Sequence, residues 1–209
     1  MRELPVGLTR RDFLAATAAL AFAACRPLAS PAGDTASALP PLSGPDGVRR
    51  PLPLAPGTRA VVMMTLSVDC PISNQLLPDY RELARRHAAE GVSFHELYPN
   101  VDETDAAVAE HRDAYGTGAA AWRDPEGGWT RRFGLTVTPQ VLAVTPDGRL
   151  IYRGRLHDRF EGLGVRRPAP RRMEFAETLV RFLAEGHPRA VETKAIGCRI
   201  RTSPRPASR

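Results

Sequence analysis

The sequence predicts an α/β fold, a central mixed sheet flanked by helices, and three observations carry that prediction. Two apolar runs, 59–68 and 92–98, have the length and β-branched content of buried strands, and each is followed by a stretch of helical periodicity. Farther along, Pro146, Asp147 and Gly148 form a turn between two more apolar segments, as in an antiparallel hairpin. Between the first strand and the first helix stands Cys70, with Asp69 before it and Pro71 after it. A cysteine in that place aims its sulfur at unpaired backbone N–H groups and the positive end of the helix dipole, which lowers a thiol pKa.

Taken in order, the elements alternate. The strand 59–68 contains Val61, Val62, Met63 and Met64, the methionines being expected in the core. A helix from Pro71 to Ala89 places Ile72, Leu76, Tyr80, Leu83 and His87 on one face, carries Pro78 inside it, and stops at Gly91. Val92 to Tyr98 is the second strand, and Glu103 to Tyr115 the second helix, entered through Asp102. A short element spans Trp129 to Phe133, and packing of a loop is the expected role of Trp122 and Trp129. The hairpin follows, with strands 140–145 and 149–155, preceded by Thr138 and Pro139. Residues 156–172 break the pattern with two glycines, two prolines and five arginines, and a loop of this length is expected to cover something. The last helix runs from Met173 to Ala184.

The ends of the 209-residue chain differ in character from its middle. Residues 1–24 resemble a twin-arginine export signal: Arg10 and Arg11 precede Phe13, Leu14 and an apolar run that is too short to span a bilayer. Cys25 follows two alanines, so it is the candidate lipid-bearing residue of a mature lipoprotein, the alternative being cleavage after Ala23 or Ala24. Either route puts the protein outside the cytoplasm, in the periplasm or on the outer face of the membrane, where disulfides persist. Residues 25–56 are rich in Pro, Gly, Ala and Ser and are expected as a flexible linker. The domain is expected over 57–185, and 186–209 as a tail containing Cys198.

Composition narrows the function classes. Hydrophobic residues make up 43% of the chain, enough for a core without a disulfide framework. The net charge of +6 comes almost wholly from arginine, Lys194 being the sole lysine. No stretch interleaves these arginines with aromatics as a nucleic-acid surface does, so no nucleic-acid partner is expected. No phosphate loop, nucleotide fingerprint or ligand cluster stands out, and neither cofactor nor metal is expected.

Cys70, Pro71, Ile72 and Ser73, with Pro78, the Thr138–Pro139 pair and the turn at 146–148, make residues 57–185 resemble a thioredoxin-fold domain of the redoxin type. The resemblance implies a cis peptide before Pro139, Pro139 lying against Cys70, and the Thr138 backbone free to pair with a bound peptide. Gly197, Cys198, Arg199 and Ile200, together with residues 69–74, are similar to a bacterial subgroup of exported redoxin-domain proteins in which a cysteine near the end accompanies the one at the helix start.

Two departures from thioredoxin bear on chemistry. Ser73 stands where the second cysteine of the usual pair would be, so no local disulfide can form, although its hydroxyl can donate to a thiolate. Asp69 replaces an aromatic, and a carboxylate beside the sulfur opposes thiolate formation. The leading expectation is thiol–disulfide exchange through Cys70 with cysteine-containing envelope proteins or a redox partner protein, resolved by Cys198. A static Cys70–Cys198 bridge and two unpaired thiols satisfy the same cysteine count. The first alternative is a thiol peroxidase, with Ser67 three residues before Cys70 and Arg153 or Arg155 to hold the peroxide. The second is a binding or metal-delivery module, for which His157 is the lone ligand candidate after the hairpin.

Overall fold

The computed structural model describes residues 39–116 and 118–203; the expected signal, Cys25 and the first part of the expected linker lie outside these. In chain order the elements are β1 (Leu42–Ser43), β2 (Arg49–Arg50), β3 (Ala60–Thr65), α1 (Pro71–Arg86), β4 (Val92–Tyr98), α2 (Asp105–Tyr115), β5 (Ala120–Arg123) and α3 (Gly128–Arg132). They continue with β6 (Val137–Thr138), β7 (Val141–Val144), β8 (Leu150–Gly154), β9 (Phe160–Gly162), β10 (Val165–Arg166), α4 (Glu174–Glu185), β11 (Val191–Glu192) and β12 (Cys198–Arg199).

The eight-stranded sheet has the order β11-β8-β7-β3-β4-β5-β1-β2. β3 runs parallel to β4 and antiparallel to β7, so the mixed character expected from the βαβ unit and the hairpin is present at its centre. All four residues from Val61 to Met64 are fully buried because the sheet is covered on both faces. Val62 and Met64 pack with Leu76 and Tyr80 of α1 and with Phe175 and Leu179 of α4. Val61 and Met63 point the other way, to Trp129, Phe133, Leu142 and Leu42. This double burial is what reads in the sequence as an unbroken apolar run.

Three segments differ from expectation. The last part of the expected 25–56 linker forms a small hairpin, β1–β2, that joins the sheet through Ser43 and Arg123, with Leu42 buried. Strand β5 holds Trp122, in a place expected as loop; its pairing to β4 supplies the order that four residues cannot signal alone. The tail, too, belongs to the fold: β11 runs parallel to β8 at its edge, anchored by the Thr193 Oγ1 contact to Tyr152 Oη at 2.6 Å.

Helix α1 is fixed from both sides. Tyr80 donates to the His95 carbonyl at 2.6 Å, and Arg81 Nη2 binds Glu96 Oε1 at 3.0 Å on β4. Near its start, the Asn74 side-chain oxygen accepts from His111 Nε2 of α2 at 2.8 Å, and His111 Nδ1 accepts from Tyr98 Oη at 3.0 Å. The first turn of α1, where Cys70 stands, is thus held against α2 as well as the sheet.

His95 is a buried neutral imidazole by the same logic. Trp122 Nε1 can only donate, and it meets His95 Nδ1 at 3.1 Å, so the ring proton sits on Nε2 and donates to Ser93 Oγ at 2.7 Å. Burial pushes its pKa down from 6.5 to about 4. The unfolded chain therefore takes up this proton before the folded one does, and stability present above pH 6.5 is lost as pH falls toward 4. We expect denaturant unfolding of the wild type to lose on the order of 3 kcal/mol across that window from this group, and a His95→Gln variant to show a correspondingly flatter pH dependence.

Candidate functional site

Cys70 is the N-cap of α1, with Pro71 as the first helical residue, whose missing N–H costs nothing there. The thiol is fully buried and its Sγ donates to the Thr138 carbonyl at 3.0 Å. The Thr138–Pro139 peptide is cis. Its position is set by Thr65 at the end of β3, whose Oγ1 donates to the Val137 carbonyl at 2.8 Å and accepts from the Gln140 amide at 2.7 Å. One hydroxyl thus holds both flanks of the cis peptide, and the Thr65 amide donates to the Gln140 carbonyl at 2.9 Å.

The tail returns to this point. β12 pairs antiparallel with β6, Cys198 opposite Thr138 and Arg199 opposite Val137, and the Ile200 amide donates to the Thr136 carbonyl at 3.0 Å. Ile200 is buried in the second core cluster. Arg201 closes the segment: its Nε lies 2.8 Å from both Asp102 carboxylate oxygens, Nη1 is 3.4 Å from Asp69 and Nη2 3.5 Å from Glu103. The Arg201 amide donates to Asn100 Oδ1 at 2.8 Å, and its carbonyl accepts from the Val101 amide at 3.2 Å. The tail is therefore laid between the cis-proline loop and the loop after β4.

Both Cys70 and Cys198 are free thiols, within hydrogen-bonding reach of each other. Burial raises the Cys70 pKa, but hydrogen bonds from Cys198 and Ser73 outweigh it and leave the thiol below its ordinary value. Ser73 Oγ is buried, and among the described residues it has no hydrogen-bond partner that competes with that sulfur. Cys198 moves the other way, to about 12, through burial first and then the proximity of Cys70. Asp69 also raises Cys198 and Arg201 opposes it, so the carboxylate expected to burden Cys70 acts on its neighbour. The pair is thus polarised: of the two thiols, Cys70 is the one that ionises more readily.

A second carboxylate lies under the site. Glu103 is almost fully buried, and its Oε1 accepts from Ser67 Oγ at 2.7 Å, Asn100 Nδ2 at 2.7 Å and the Val68 amide at 3.1 Å. It braces the turn that delivers Cys70 to the helix. Beside the sulfurs, Pro71, Ile72, Phe160, Leu163, Arg166 and Cys198 line a cleft of about 460 Å³. The β9–β10 hairpin forms its outer wall, tied to α1 by Arg166 donating to Gln75 at 2.8 Å, with Leu163 69% and Val165 55% exposed. The long segment 156–172 therefore flanks the start of α1.

Of the residues singled out from the sequence, Cys70, Ser73, Thr138, Pro139 and Cys198 come together. Cys25 lies outside the described residues. Arg153 and Arg155 do not turn toward Cys70: Arg153 donates to the Phe133 carbonyl at 2.6 Å and Arg155 pairs with Glu174. Ser67 faces Glu103 and Asp69. His157, expected without a partner, binds Asp79 at 3.0 Å. Among the described residues no group of three or more His, Cys, Asp or Glu side chains could hold a metal ion. Thr65, Glu103 and Arg201 went unnoticed in the sequence. Arg201 alone left a signal there, as a basic residue three positions after Cys198.

Hydrogen bonds donated to a charged sulfur favour its ionised form, so removing one donor is expected to raise the Cys70 pKa. Thiolate absorbance of the reduced protein, titrated with pH, should show this rise in Cys198→Ala and a rise in the same direction in Ser73→Ala.

No family model matches the chain, and no curated protein matches its sequence. Solved structures do match. A hypothetical protein of Sinorhizobium meliloti 1021 superposes with a TM-score of 0.63 at 20% identity, over 80% of this chain and 92% of its own. An uncharacterized conserved protein of Geobacillus kaustophilus does so with 0.64 at 22% identity, over 81% and 92%. A secreted disulfide oxidoreductase of Mycobacterium tuberculosis is similar at a lower TM-score, 0.47, and 14% identity, over 73% and 99%. The chain has a thioredoxin-like fold, a mixed sheet flanked by helices.

Proposed function

We propose that this protein is an exported thiol–disulfide oxidoreductase that uses Cys70 as nucleophile and Cys198 as resolving thiol. The observation that carries the reading is the placement of two free thiols side by side, Cys70 at the start of α1 and Cys198 brought to it by the pairing of β12 with β6. The Cys70 thiol is lowered by Cys198 and Ser73, and the Cys198 thiol is raised to about 12. The Cys70 thiolate attacks one sulfur of a partner disulfide, forming a mixed disulfide and expelling the partner's other sulfur as thiolate. Burial is the first cause of the high Cys198 pKa, and the Cys70 hydrogen bond and charge come next. Both of the latter vanish once Cys70 is bound in the mixed disulfide, so Cys198 loses its proton more readily at the stage that requires it. Its thiolate then attacks the Cys70 sulfur, forms the Cys70–Cys198 disulfide and releases the partner as a dithiol, two electrons having passed to the partner. The same steps in reverse oxidise a partner dithiol. Ser73 steadies the Cys70 thiolate, and before ionisation the thiol is positioned by donating to the Thr138 carbonyl at 3.0 Å.

Export and the tether rest on the sequence. The paired arginines and apolar run of residues 1–24 support passage out of the cytoplasm, and Cys25 is placed to carry a lipid. No helix among the described residues is long and apolar enough to cross a membrane. The partners we propose are envelope proteins with cysteine pairs.

Peptide masses after thiol labelling test the mechanism. In wild-type protein treated with a protein disulfide, Cys70 and Cys198 should be recovered joined to each other. In Cys198→Ser, Cys70 should accumulate as a mixed disulfide with the partner, and Cys70→Ser should form neither species. A Cys198→Ser variant that turns over like wild type, with no trapped partner, rejects the resolving role.

A further inference from the structure

A buried nucleophile is an obstacle to exchange with proteins, and here one short segment creates it. Cys70 has no exposed surface, and what lies over it is the tail, with Ile196 and Cys198 packed against the same cluster. The tail occupies the edge of β6 that leads into the cis-proline, pairing with it as an antiparallel strand. This is the geometry in which an extended foreign peptide adds to a sheet edge, main chain giving affinity and alternate side chains giving selectivity.

The details of the fit are those of a ligand. At Gly197 the tail crosses the cis peptide so closely that a Cβ would lie 2.2 Å from the Thr138 oxygen, 2.6 Å from its carbon and 3.0 Å from the Pro139 nitrogen. All three are backbone atoms that cannot swing aside. Only glycine passes there. Cys198 then meets Cys70, Arg199 points outward, Ile200 enters an apolar pocket, and Arg201 enters the acidic ring of Asp69, Asp102 and Glu103. Yet the hold is short: β12 pairs over two residues, and the tail from Val191 to Arg199 is nowhere fully buried. Segments secured by few, partly exposed hydrogen bonds open readily.

We propose that Gly197–Arg201 is a displaceable internal occupant of the groove by which a partner polypeptide reaches Cys70. The external ligand of that groove is an extended segment of the same pattern: glycine before the cysteine, an apolar residue two positions after it and a basic residue three after it. This rests on Cys70 being the thiol that partners must reach. It adds that a partner competes with the tail, and that the groove selects the sequence around the partner's cysteine.

The full chain tests it, in a Cys198→Ser background that prevents an internal disulfide. Alkylation of Cys70 by iodoacetamide should be at least tenfold faster in Gly197→Ala, which cannot seat the tail, and several-fold faster in Arg201→Ala, which loses the acidic ring. Circular dichroism and thermal unfolding establish that each variant is folded, and Arg201→Ala decides alone if Gly197→Ala is not. A synthetic peptide of residues 195–203 carrying Cys198→Ser, added to the open variant, should restore the slow rate. The same peptide with Gly197→Ala should not. Unchanged alkylation in the folded variants, or equal protection by the two peptides, overturns the inference. Because protection is read without any redox partner, a protein that shows it but forms no mixed disulfide rejects the proposed activity and leaves the groove standing.

Discussion

The Thr138 backbone is the point on which the site depends. Its carbonyl accepts the Cys70 thiol, its residue pairs with Cys198, and its peptide bond to Pro139 is the surface over which Gly197 crosses. None of this would be positioned without Thr65. That hydroxyl, placed by a fully buried strand at the centre of the sheet, holds Val137 and Gln140 on either side. A loop of irregular backbone is thereby attached to the buried centre of the sheet, which fixes the place where the Cys70 sulfur and the seated tail meet.

The electrostatics follow from the same arrangement. Two thiols side by side cannot both ionise easily, and the helix start with Ser73 favours charge on Cys70 while burial and Asp69 disfavour it on Cys198. Arg201 offsets part of the Asp69 field and, at the same time, fixes the tail that brings Cys198 in. Charge balance and chain placement are thus one structural feature, and neither can be altered without the other.

With Ser73 one helical turn from Cys70, the thiol that stands beside Cys70 is brought by the tail. A local pair is bound to the geometry of one helical turn. A pair split between helix and tail is joined only while the tail is seated, so the thiols can meet or separate as the strand docks or lifts. The exposed Leu163 and Val165 on the neighbouring hairpin extend an apolar surface beside the same entrance.

Local pattern was enough to determine the α/β class, the helix that opens at Cys70, the hairpin after Pro139 and the core strand 61–64, because periodicity and turn chemistry act over a few residues. The pairing of Cys70 with a late cysteine was legible only as one of several arrangements, since spacing along the chain says nothing of distance in space. Strands β1, β2, β5 and β12 are each of two to four residues and owe their existence to neighbours, so no run in the sequence announces them. Thr65, Glu103 and Arg201 are ordinary residues by type and become parts of the site through contacts with residues far away in sequence. Tertiary structure alone decided which thiol ionises more readily, because burial, hydrogen bonding and the Asp69 and Arg201 fields exist only once the tail has folded back onto the cis-proline loop.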